Sequence, residues 1–171
     1  MTIDRQAFRN AMSELGAAVN VITSDGRAGR YGMTASAVCS ITDDPPTLAV
    51  CVNRASQSNV VFKENGVLCV NTLNAEQEDI SAVFAGATKC AAEARFETGS
   101  WTRQLTGAPV LDDAVVSFDC VITDSVEKGT HTVFFAEVVK TRYASKDCGG
   151  LIYFRRGYHH VGADELEALA A

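Results

Sequence analysis

Short β-rich runs separated by turn-forming residues are the feature that most limits what this chain can fold into. Helical patterns are few, and they do not alternate regularly with the β-rich runs as they do in a doubly wound parallel sheet. The pattern therefore predicts a mainly β fold with flanking helices, in which mostly antiparallel strands form a closed or nearly closed barrel. The predicted strands lie near residues 18–23, 33–42, 47–53, 67–73, 115–123, 132–141 and 151–154.

An amphipathic helix is predicted near the N-terminus. Phe8, Met12 and Leu15 recur on one helical face of residues 4–15, and Asp4 is a suitable N-cap. Gly16 is expected to end this helix.

Two shorter helices are predicted in the first half of the chain. Residues 59–65 have a helical pattern that ends at Gly66, a residue suited to a helix C-terminus. Asn74 and Gln77 have the spacing of a capping box, which predicts a helix running to about residue 85. The stretch that follows has no clean period and predicts loops with a short edge strand.

Length and charge set limits on domains and partners. A chain of 171 residues fits one domain, with residues 1–16 as the N-terminal helix and 162–171 as a C-terminal tail. A formal net charge of -6 repels phosphate backbones and anionic bilayers, so neither nucleic acid nor a membrane is expected as a partner. The first residues lack the apolar stretch of a secretion signal, which predicts a cytoplasmic protein.

The cysteines and histidines do not predict a metal site. The six cysteines are widely spread, with no Cys-x-x-Cys pair, and are expected to be reduced thiols, several of them in the core. His159 and His160 are adjacent in a predicted strand and face opposite sides, while His131 is far away in sequence. The spacing of Gly26, Gly29 and Gly32 predicts a hairpin turn and not a dinucleotide fingerprint.

Residues 34–40 carry the pattern with the most direct chemical meaning. Read as one strand, they place hydroxyl side chains on one face and very small side chains on the other. Such a surface lets a flat ring approach the backbone, where amides and hydroxyls can bind its polar edge. An edge strand with a solvated hydroxyl face is the alternative that the residues alone leave open. The first face comprises Thr34, Ser36, Val38 and Ser40, and the second comprises Ala35, Ala37 and Cys39.

A set of stretches, in order along most of the chain, resembles a known family. The stretches are residues 11–13, 16–23, 34–46, 48–53, 68–71, 84–86, 129–131, 150–154 and 158–159. In this order they resemble the short-chain flavin reductase family, which includes the small reductase components of two-component aromatic monooxygenases. The resemblance implies a Greek-key-like, FMN-binding split β-barrel that forms a homodimer.

The resemblance also implies a set of site residues. The flavin, FMN or FAD, is expected against the segment that begins at Thr34, with its ribityl chain and phosphate near Asn53 and its other end near Ala85. His131 is implied as the catalytic residue on the nicotinamide side, where Arg156 is a candidate pyrophosphate contact. The implied cofactor-binding residues are Thr34, Ala35, Ser36, Ala37, Cys39, Ser40, Val52, Asn53, Ser56, Ser58, Phe84, Ala85, Gly86, Arg156, Tyr158 and His159.

The implied activity is hydride transfer from NADH or NADPH to a flavin, which then serves a separate oxygenase. Hydride transfer between stacked rings needs orientation more than acid–base groups, which agrees with the absence of paired carboxylates from the motifs above. Two alternatives remain open. The protein could keep FMN tightly bound and pass electrons to another acceptor, such as a cobalt corrin, or it could be a non-catalytic flavin or haem carrier.

Overall fold

The computed structural model describes residues 3–145 and 148–162. Within them lie three α-helices, α1 to α3, at Arg5–Ser13, Gln57–Asn65 and Glu78–Phe84, and a 3-10 helix at Glu93–Glu97. None of these helices is long and apolar enough to cross a membrane. Strands β1 to β12 lie at Ala17–Ala18, Asn20–Ser24, Tyr31–Ala35, Val38–Asp43, Pro46–Asn53, Val67–Thr72, Trp101–Arg103, Pro109–Leu111, Val116–Lys128, His131–Tyr143, Gly150–Phe154 and Gly157–Val161.

The main sheet has seven antiparallel strands whose two edges meet at one corner of the chain. The strand order is β3-β2-β6-β9-β10-β5-β4, so consecutive strands β3 and β4 occupy opposite edges. Only Ser36 and Ala37 connect them. A connection this short reaches about 10 Å at most. The sheet must therefore curl until its edges approach, which produces the predicted barrel-like closure.

The corner at Ser36 and Ala37 corrects the prediction of one extended strand over residues 33–42. The amide of Val38 donates to the carbonyl of Ser36, 3.0 Å away, and the amide of Cys51 donates to the carbonyl of Ala37, also at 3.0 Å. These bonds turn the chain from the β2 ladder to the β5 ladder. The prediction was wrong because residue alternation alone does not show where a strand changes partners.

The long β9–β10 hairpin also differs from its prediction. Residues 124–130 were predicted as a connection, but the ladder continues to Lys128 and leaves only Gly129 and Thr130 in the turn. Gly129 has φ +57°, a conformation that glycine adopts at little cost. The end of this hairpin is exposed on both faces, so it carries no apolar alternation from which its length could be predicted.

A second sheet of three strands, β1-β11-β12, packs beside the main sheet. Ala17 pairs with Tyr153, and the amide of Val19 donates to the carbonyl of Leu151 at 3.0 Å. Strand β12 contains His159 and His160, which were predicted to be strand residues, although its bounds were not predicted. The two-stranded sheet of β7 and β8 contains the short strand that was expected near Trp101.

Strand β2 separates two parts of the core. Ile22 faces the barrel interior with Phe62 and Phe134, whereas its neighbour Val21 packs in a second cluster with Phe84. Neighbouring strand residues point to opposite faces, so a strand buried on both faces is apolar at successive positions. The second cluster holds α3 against the outside of this strand and so fixes one wall of the site described below.

Helix α1 forms as predicted, but its apolar face is exposed. Asp4 caps the helix, with its Oδ1 accepting from the amides of Gln6 and Ala7 at 2.8 and 2.9 Å. The exposed fractions of the side chains in the predicted face are 55% for Phe8, 47% for Met12 and 60% for Leu15. This apolar face therefore has no packing partner among the described residues, although the end of α1 meets the β11–β12 turn, where the amide of Arg155 donates to the carbonyl of Ser13 at 2.8 Å. Residues 163–171, most of the predicted tail, lie outside them.

The two other helices begin and end near their predicted limits. Gly66 stops α2 with φ +70°, and the side chain of Gln77 accepts from the amide of Asn74 at 2.9 Å, as in a capping box. Because those two residues form a turn ahead of the helix, α3 itself begins at Glu78.

Candidate active site

A cleft of about 250 Å³ opens where the end of β3, helix α3 and the β11–β12 hairpin meet. The fold brings together side chains that are distant in sequence. The lining residues are Val19, Thr34, Ala35, Ser36, Ser81, Ala85, Tyr153 and Tyr158. Those already predicted as site residues are Thr34, Ala35, Ser36, Ala85 and Tyr158.

Hydrogen bonds tie three sides of the cleft to one residue, Ser81. The hydroxyl of Thr34 donates to the carbonyl of Ser81 at 2.7 Å, and the Oγ of Ser81 lies 2.8 Å from the Tyr158 hydroxyl. The rings of Tyr153 and Tyr158 pack edge to face with centroids 5.6 Å apart. Ser81 therefore links β3, α3 and β12 around the cleft.

Ser81, Val19 and Tyr153 were not predicted as site residues. Ser81 and Ala85 are four positions apart, which places them on the same side of one helical turn. The predicted helix and the predicted role of Ala85 together therefore contained a signal for Ser81. The sequence has no equivalent signal for Val19 or Tyr153, because the pairing of β1 with β11 is a long-range contact.

Phe84 and Gly86 support the cleft wall instead of lining it. Phe84 is buried, with its ring centroid 5.1 Å from that of Phe96 and 5.4 Å from that of Trp101. A Cβ placed on Gly32 of β3 would lie only 2.5 Å from the Phe84 ring, so glycine permits this close packing. Gly86, with φ +88°, follows the helix end at Ala85.

Arg95 also connects β3 to α3, through backbone carbonyls of both elements. Its Nη1 donates to the carbonyl of Gly32 at 3.1 Å and to that of Phe84 at 3.5 Å. Its guanidinium carbon also lies 5.6 Å from the centroid of the Tyr31 ring. A cation beside the carbonyl end of α3 is favourable, because the last carbonyls of a helix carry partial negative charge.

A second polar group lies at the N-terminus of α2. Ser56 caps the helix by accepting from the amide of Ser58, and the two hydroxyl oxygens are 2.6 Å apart. Ser58 also contacts the Sδ of Met33 at 3.0 Å, which joins this group to β3 one residue before Thr34. Helix N-termini favour anions because their first amides have no helical acceptor.

The other residues predicted for the phosphate end differ in exposure. Asn53 is exposed, and its Oδ1 accepts from the amide of Ala55 at 2.9 Å. Val52 is fully buried inside the barrel and reaches this region only through its carbonyl, which accepts from the side chain of Asn59 at 3.1 Å.

An ion-pair group lies at the same end of the barrel as Asn53. Glu127 binds Lys63 at 2.8 Å and Arg54 at 2.9 Å. The hydrogen bond from Lys63 and the charge of Arg54 hold the pKa of Glu127 below its usual value. This carboxylate therefore remains charged and offsets two cations, Arg54, which precedes α2, and Lys63, in the last turn of α2.

His131 opens β10 opposite Asn53 and outside the cleft of this chain. Its side chain is exposed, and its Nδ1 lies 2.9 Å from the hydroxyl of Thr130. His131 thus lies beside Asn53, where the flavin phosphate was predicted, and not beside the cleft, where the flavin ring was predicted. Its catalytic role stays a prediction.

Cys39 and Ser40 lie beyond the corner, on the exposed edge strand β4. Ala37 is part of the corner itself and accepts from Cys51. Burial, and next the nearby Cys39 thiol, raise the pKa of Cys51. None of these side chains lines the cleft, so the flavin contacts predicted for Ala37, Cys39 and Ser40 remain predictions.

Besides Tyr158, the predicted dinucleotide contacts are Arg156 and His159, and neither side chain lines the cleft. The guanidinium of Arg156 lies 2.5 Å from the side chain of Asn10 on α1. The Nε2 of His159 lies 3.2 Å from the carbonyl of Phe154, while His160, on the opposite face of β12, pairs with Glu78 at 2.7 Å. The opposite orientation predicted for the two histidines is confirmed. Within the described ranges, no three potential metal-ligating side chains gather.

The sequence family agrees with a ring-binding cleft. A model of the flavin reductase-like domain matches residues 12–162. The chain belongs to the flavin reductase-like family. The match includes every cleft-lining residue, so the resemblance inferred from ordered short stretches is confirmed.

Similar members of the flavin reductase-like family cover nearly the whole chain. The FMN reductase (NADH) RutF of Pantoea ananatis strain LMG 20103 is 52% identical over 157 residues, which are 92% of this chain and 81% of that protein. A crystal structure from Haemophilus somnus 129PT, provisionally assigned as a flavin reductase, has 42% identity and a TM-score of 0.88, covering 93% of this chain and 100% of that one. The styrene monooxygenase flavin reductase of Pseudomonas putida S12 has 26% identity and a TM-score of 0.77, covering 90% and 96%. The predicted split-barrel fold is confirmed.

Proposed function

We propose that this protein is a flavin reductase that transfers a hydride from NADH to FMN. The observation that carries the proposal is the cleft bounded by Thr34, Ala35 and Ser36, in a chain about half identical to an FMN reductase (NADH) over 92% of its length. Thr34, Ala35 and Ser36 are the residues at which flavin was expected from sequence.

The cleft suits the ring system of a flavin more than the whole cofactor. Its volume of about 250 Å³ is below the range of about 300–1,000 Å³ for pockets that enclose a ligand of drug size. The small side chains of Ala35, Ser36 and Ala85 expose backbone to a flat ligand. Tyr153 and Tyr158 supply aromatic surface on the opposite side.

The ribityl chain and phosphate then leave the cleft toward the N-terminus of α2. Ser56 and Ser58 provide hydroxyls there, and the contact of Ser58 with Met33 keeps the helix end beside β3. The partial positive charge at the N-terminus of α2 favours a phosphate group. The same direction accommodates FAD, whose further nucleotide would extend past the helix into solvent.

The residues of this chain contribute orientation and hydrogen bonds. Bound FMN supplies the hydride acceptor and NADH the donor, which react when their rings stack. Backbone amides at the Ser36 corner can stabilise negative charge that develops at the polar edge of the ring system. The Thr34 hydroxyl is already bonded to Ser81, so it fixes the wall. Holding both rings in a near-attack geometry accounts for the rate without a paired acid and base.

We propose that two copies of the chain form the working enzyme. Support comes from the exposed apolar face of α1, where Phe8, Met12 and Leu15 lack a partner within the described residues. A second support is that His131 lies outside the cleft of its own chain. Light scattering on the purified protein should give twice the chain mass, and a monomer that reduces FMN at full rate would contradict the dimer.

His131 offers a variant that separates hydride transfer from flavin binding. His131→Ala should slow flavin reduction or raise the KM for NADH, while FMN affinity measured by fluorescence quenching stays within about twofold. Loss of FMN affinity alone would contradict the proposed place of His131 on the nicotinamide side. Lys128→Ala, next to it in the β9–β10 register, is the matched control and should leave both constants unchanged.

The electron acceptor after FMN is proposed to be a separate oxygenase component. The styrene monooxygenase flavin reductase, which shares this fold, supports a two-component arrangement. Reduced flavin must then be released, so the purified protein should lose its yellow colour on dialysis. Flavin that survives extensive dialysis would favour an enzyme that passes electrons directly to another acceptor. A cytoplasmic location stays a prediction from the sequence.

The test of the proposed reaction is a steady-state assay that crosses FMN and FAD with NADH and NADPH. We expect the highest kcat/KM for FMN with NADH. A separate anaerobic mixing experiment tests for the carrier alternative: NADH should bleach the flavin absorbance. Unbleached flavin in the presence of excess NADH would identify a carrier without reductase activity.

A further inference from the structure

Ser81 lies at the centre of the cleft wall although no motif points to it. Its side chain is fully buried, yet it lines the cleft together with residues of β3 and β12. Its carbonyl accepts two hydrogen bonds, from the amide of Ala85 at 2.9 Å and from the hydroxyl of Thr34 at 2.7 Å. The backbone of Ser81 therefore joins α3 to β3, independently of what its side chain does.

The side chain of Ser81 has a separate contact. Its Oγ lies 2.8 Å from the hydroxyl of Tyr158, while the Tyr158 ring packs against Tyr153. One further pair holds β12 beside α3, because His160 of β12 binds Glu78, about one helical turn before Ser81, at 2.7 Å. The Tyr158 ring is thus held at its edge by a neighbouring ring and at its hydroxyl by Ser81.

The position of the Tyr158 ring determines how much room the cleft offers a flat ligand. A tyrosine ring rotates about its side-chain bonds unless packing or a hydrogen bond at its hydroxyl fixes it. A ring that swings toward Thr34 would fill the space between β3 and β12. The contact with Ser81 keeps the ring on the α3 side and leaves that space open.

We propose that Ser81 is a positioning residue that fixes the Tyr158 phenol on the α3 side, so that the cleft is preformed for the flavin ring system. Ser81 acts through Tyr158 and takes no part in hydride transfer. This inference rests on the proposed function, since it takes FMN as the ligand of the cleft.

A double-mutant cycle tests the inference. Ser81→Ala and Tyr158→Phe each remove one side of the same hydrogen bond, while the Thr34 bond to the Ser81 carbonyl remains. Each variant should weaken FMN binding, measured without turnover by quenching of flavin fluorescence, by about three- to tenfold, as expected for the loss of one hydrogen bond. The double variant should be no weaker than either single variant. The KM for FMN should rise by the same factor, with a smaller change in kcat.

Ser117→Ala is the matched control. Ser117 is also a buried serine, but its hydroxyl binds Asn71 away from the cleft. This variant should lower the Tm while FMN affinity and activity stay unchanged. Ser81→Cys, nearly the same size with a weaker donor, provides a folded variant if Ser81→Ala is too unstable, and it should show an intermediate loss of affinity.

Three results would overturn the inference. One is an unchanged FMN affinity in Ser81→Ala or Ser81→Cys when Tyr158→Phe weakens binding, because Tyr158 would then act directly on the ligand. Another is full additivity in the double variant. The third is an equal loss of FMN affinity in Ser117→Ala, which would indicate a general effect of stability. Failure of the wild-type protein to bind or reduce FMN would instead overturn the proposed function, so the two failures are distinguishable.

Discussion

At the scale of single residues, the site depends on small side chains at positions where a larger side chain would fill the cleft or push its wall apart. Ala35, Ser36 and Ala85 leave the cleft open, and Gly32 lets the Phe84 ring lie directly on β3. The importance of the residues around Ser36 could be predicted from their hydroxyl and methyl side chains. The importance of Gly32 could not, because nothing in a sequence shows which ring will pack on a strand glycine.

Gly32→Ala should destabilise the protein by about 1–3 kcal/mol, since the added methyl overlaps the buried Phe84 ring. The displaced ring should also shift α3 and weaken FMN binding. Urea unfolding and a fluorescence titration measure the two effects. Gly16→Ala is the control, because its Cβ would meet only ordinary contacts, and it should change the free energy of unfolding by less than about 0.5 kcal/mol. Equal stability of the two variants would contradict the packing described for Gly32.

The two fully buried thiols should make stability depend on high pH. Burial raises the pKa of Cys120 to about 12, and it also raises the pKa of Cys69. In the unfolded chain these thiols ionise near their ordinary pKa of 9.0, whereas in the folded protein they stay protonated to higher pH. The unfolded state then binds fewer protons, so the free energy of unfolding should fall as pH rises from about 9 toward 12.

Cys120→Ala should make that decline less steep, because one of the two responsible thiols is gone. Chemical denaturation at several pH values measures the slope. Cys39→Ala is the control, since this thiol is exposed on the edge strand β4, and it should leave the slope unchanged. A stability that stays flat above pH 9 in the wild-type protein would contradict the assignment.

At the scale of elements, the decisive feature is the corner between β3 and β4. Most strands and the three helices were predictable, because each has a local apolar period or a capping signal. The corner was not, because Ser36 and Ala37 fit the alternation of one continuous strand. The end of the β9–β10 hairpin could not be predicted either, because a strand that is exposed on both faces has no alternating apolar pattern.

Arg95 should help to hold α3 against β3, because it donates hydrogen bonds to the carbonyls of Gly32 and Phe84. Arg95→Met keeps much of the side-chain volume but removes these bonds, and it should destabilise the protein by about 1–3 kcal/mol and weaken FMN binding. Arg103→Met is the control, because Arg103 forms an exposed ion pair with Asp25, which contributes little. If Arg95→Met bound FMN as tightly as the control, the wall would not depend on this residue.

At the scale of the whole molecule, closure of the barrel places the ring cleft and the α2 N-terminus on either side of β3. Contacts distant in sequence create this arrangement, namely β2 with β6 and β1 with β11. The family resemblance predicted that such a site exists, but the sequence alone could not show that Ser81, Val19 and Tyr153 complete it. The same resemblance implied roles for Arg156 and His159, which stay predictions. In this chain their side chains contact Asn10 and Phe154.

The most direct test of the central claim is an anaerobic titration of FMN and NADH into wild-type protein and into Ser36→Tyr, with circular dichroism to verify the fold of both. The titration determines whether the cleft at the β3–β4 corner holds the flavin ring. Wild-type protein should bind FMN and bleach its absorbance when NADH is added, whereas folded Ser36→Tyr should bind FMN at least about tenfold more weakly because its ring fills the cleft. Unchanged FMN affinity in folded Ser36→Tyr, with NADH still bleaching the flavin, would contradict the claim.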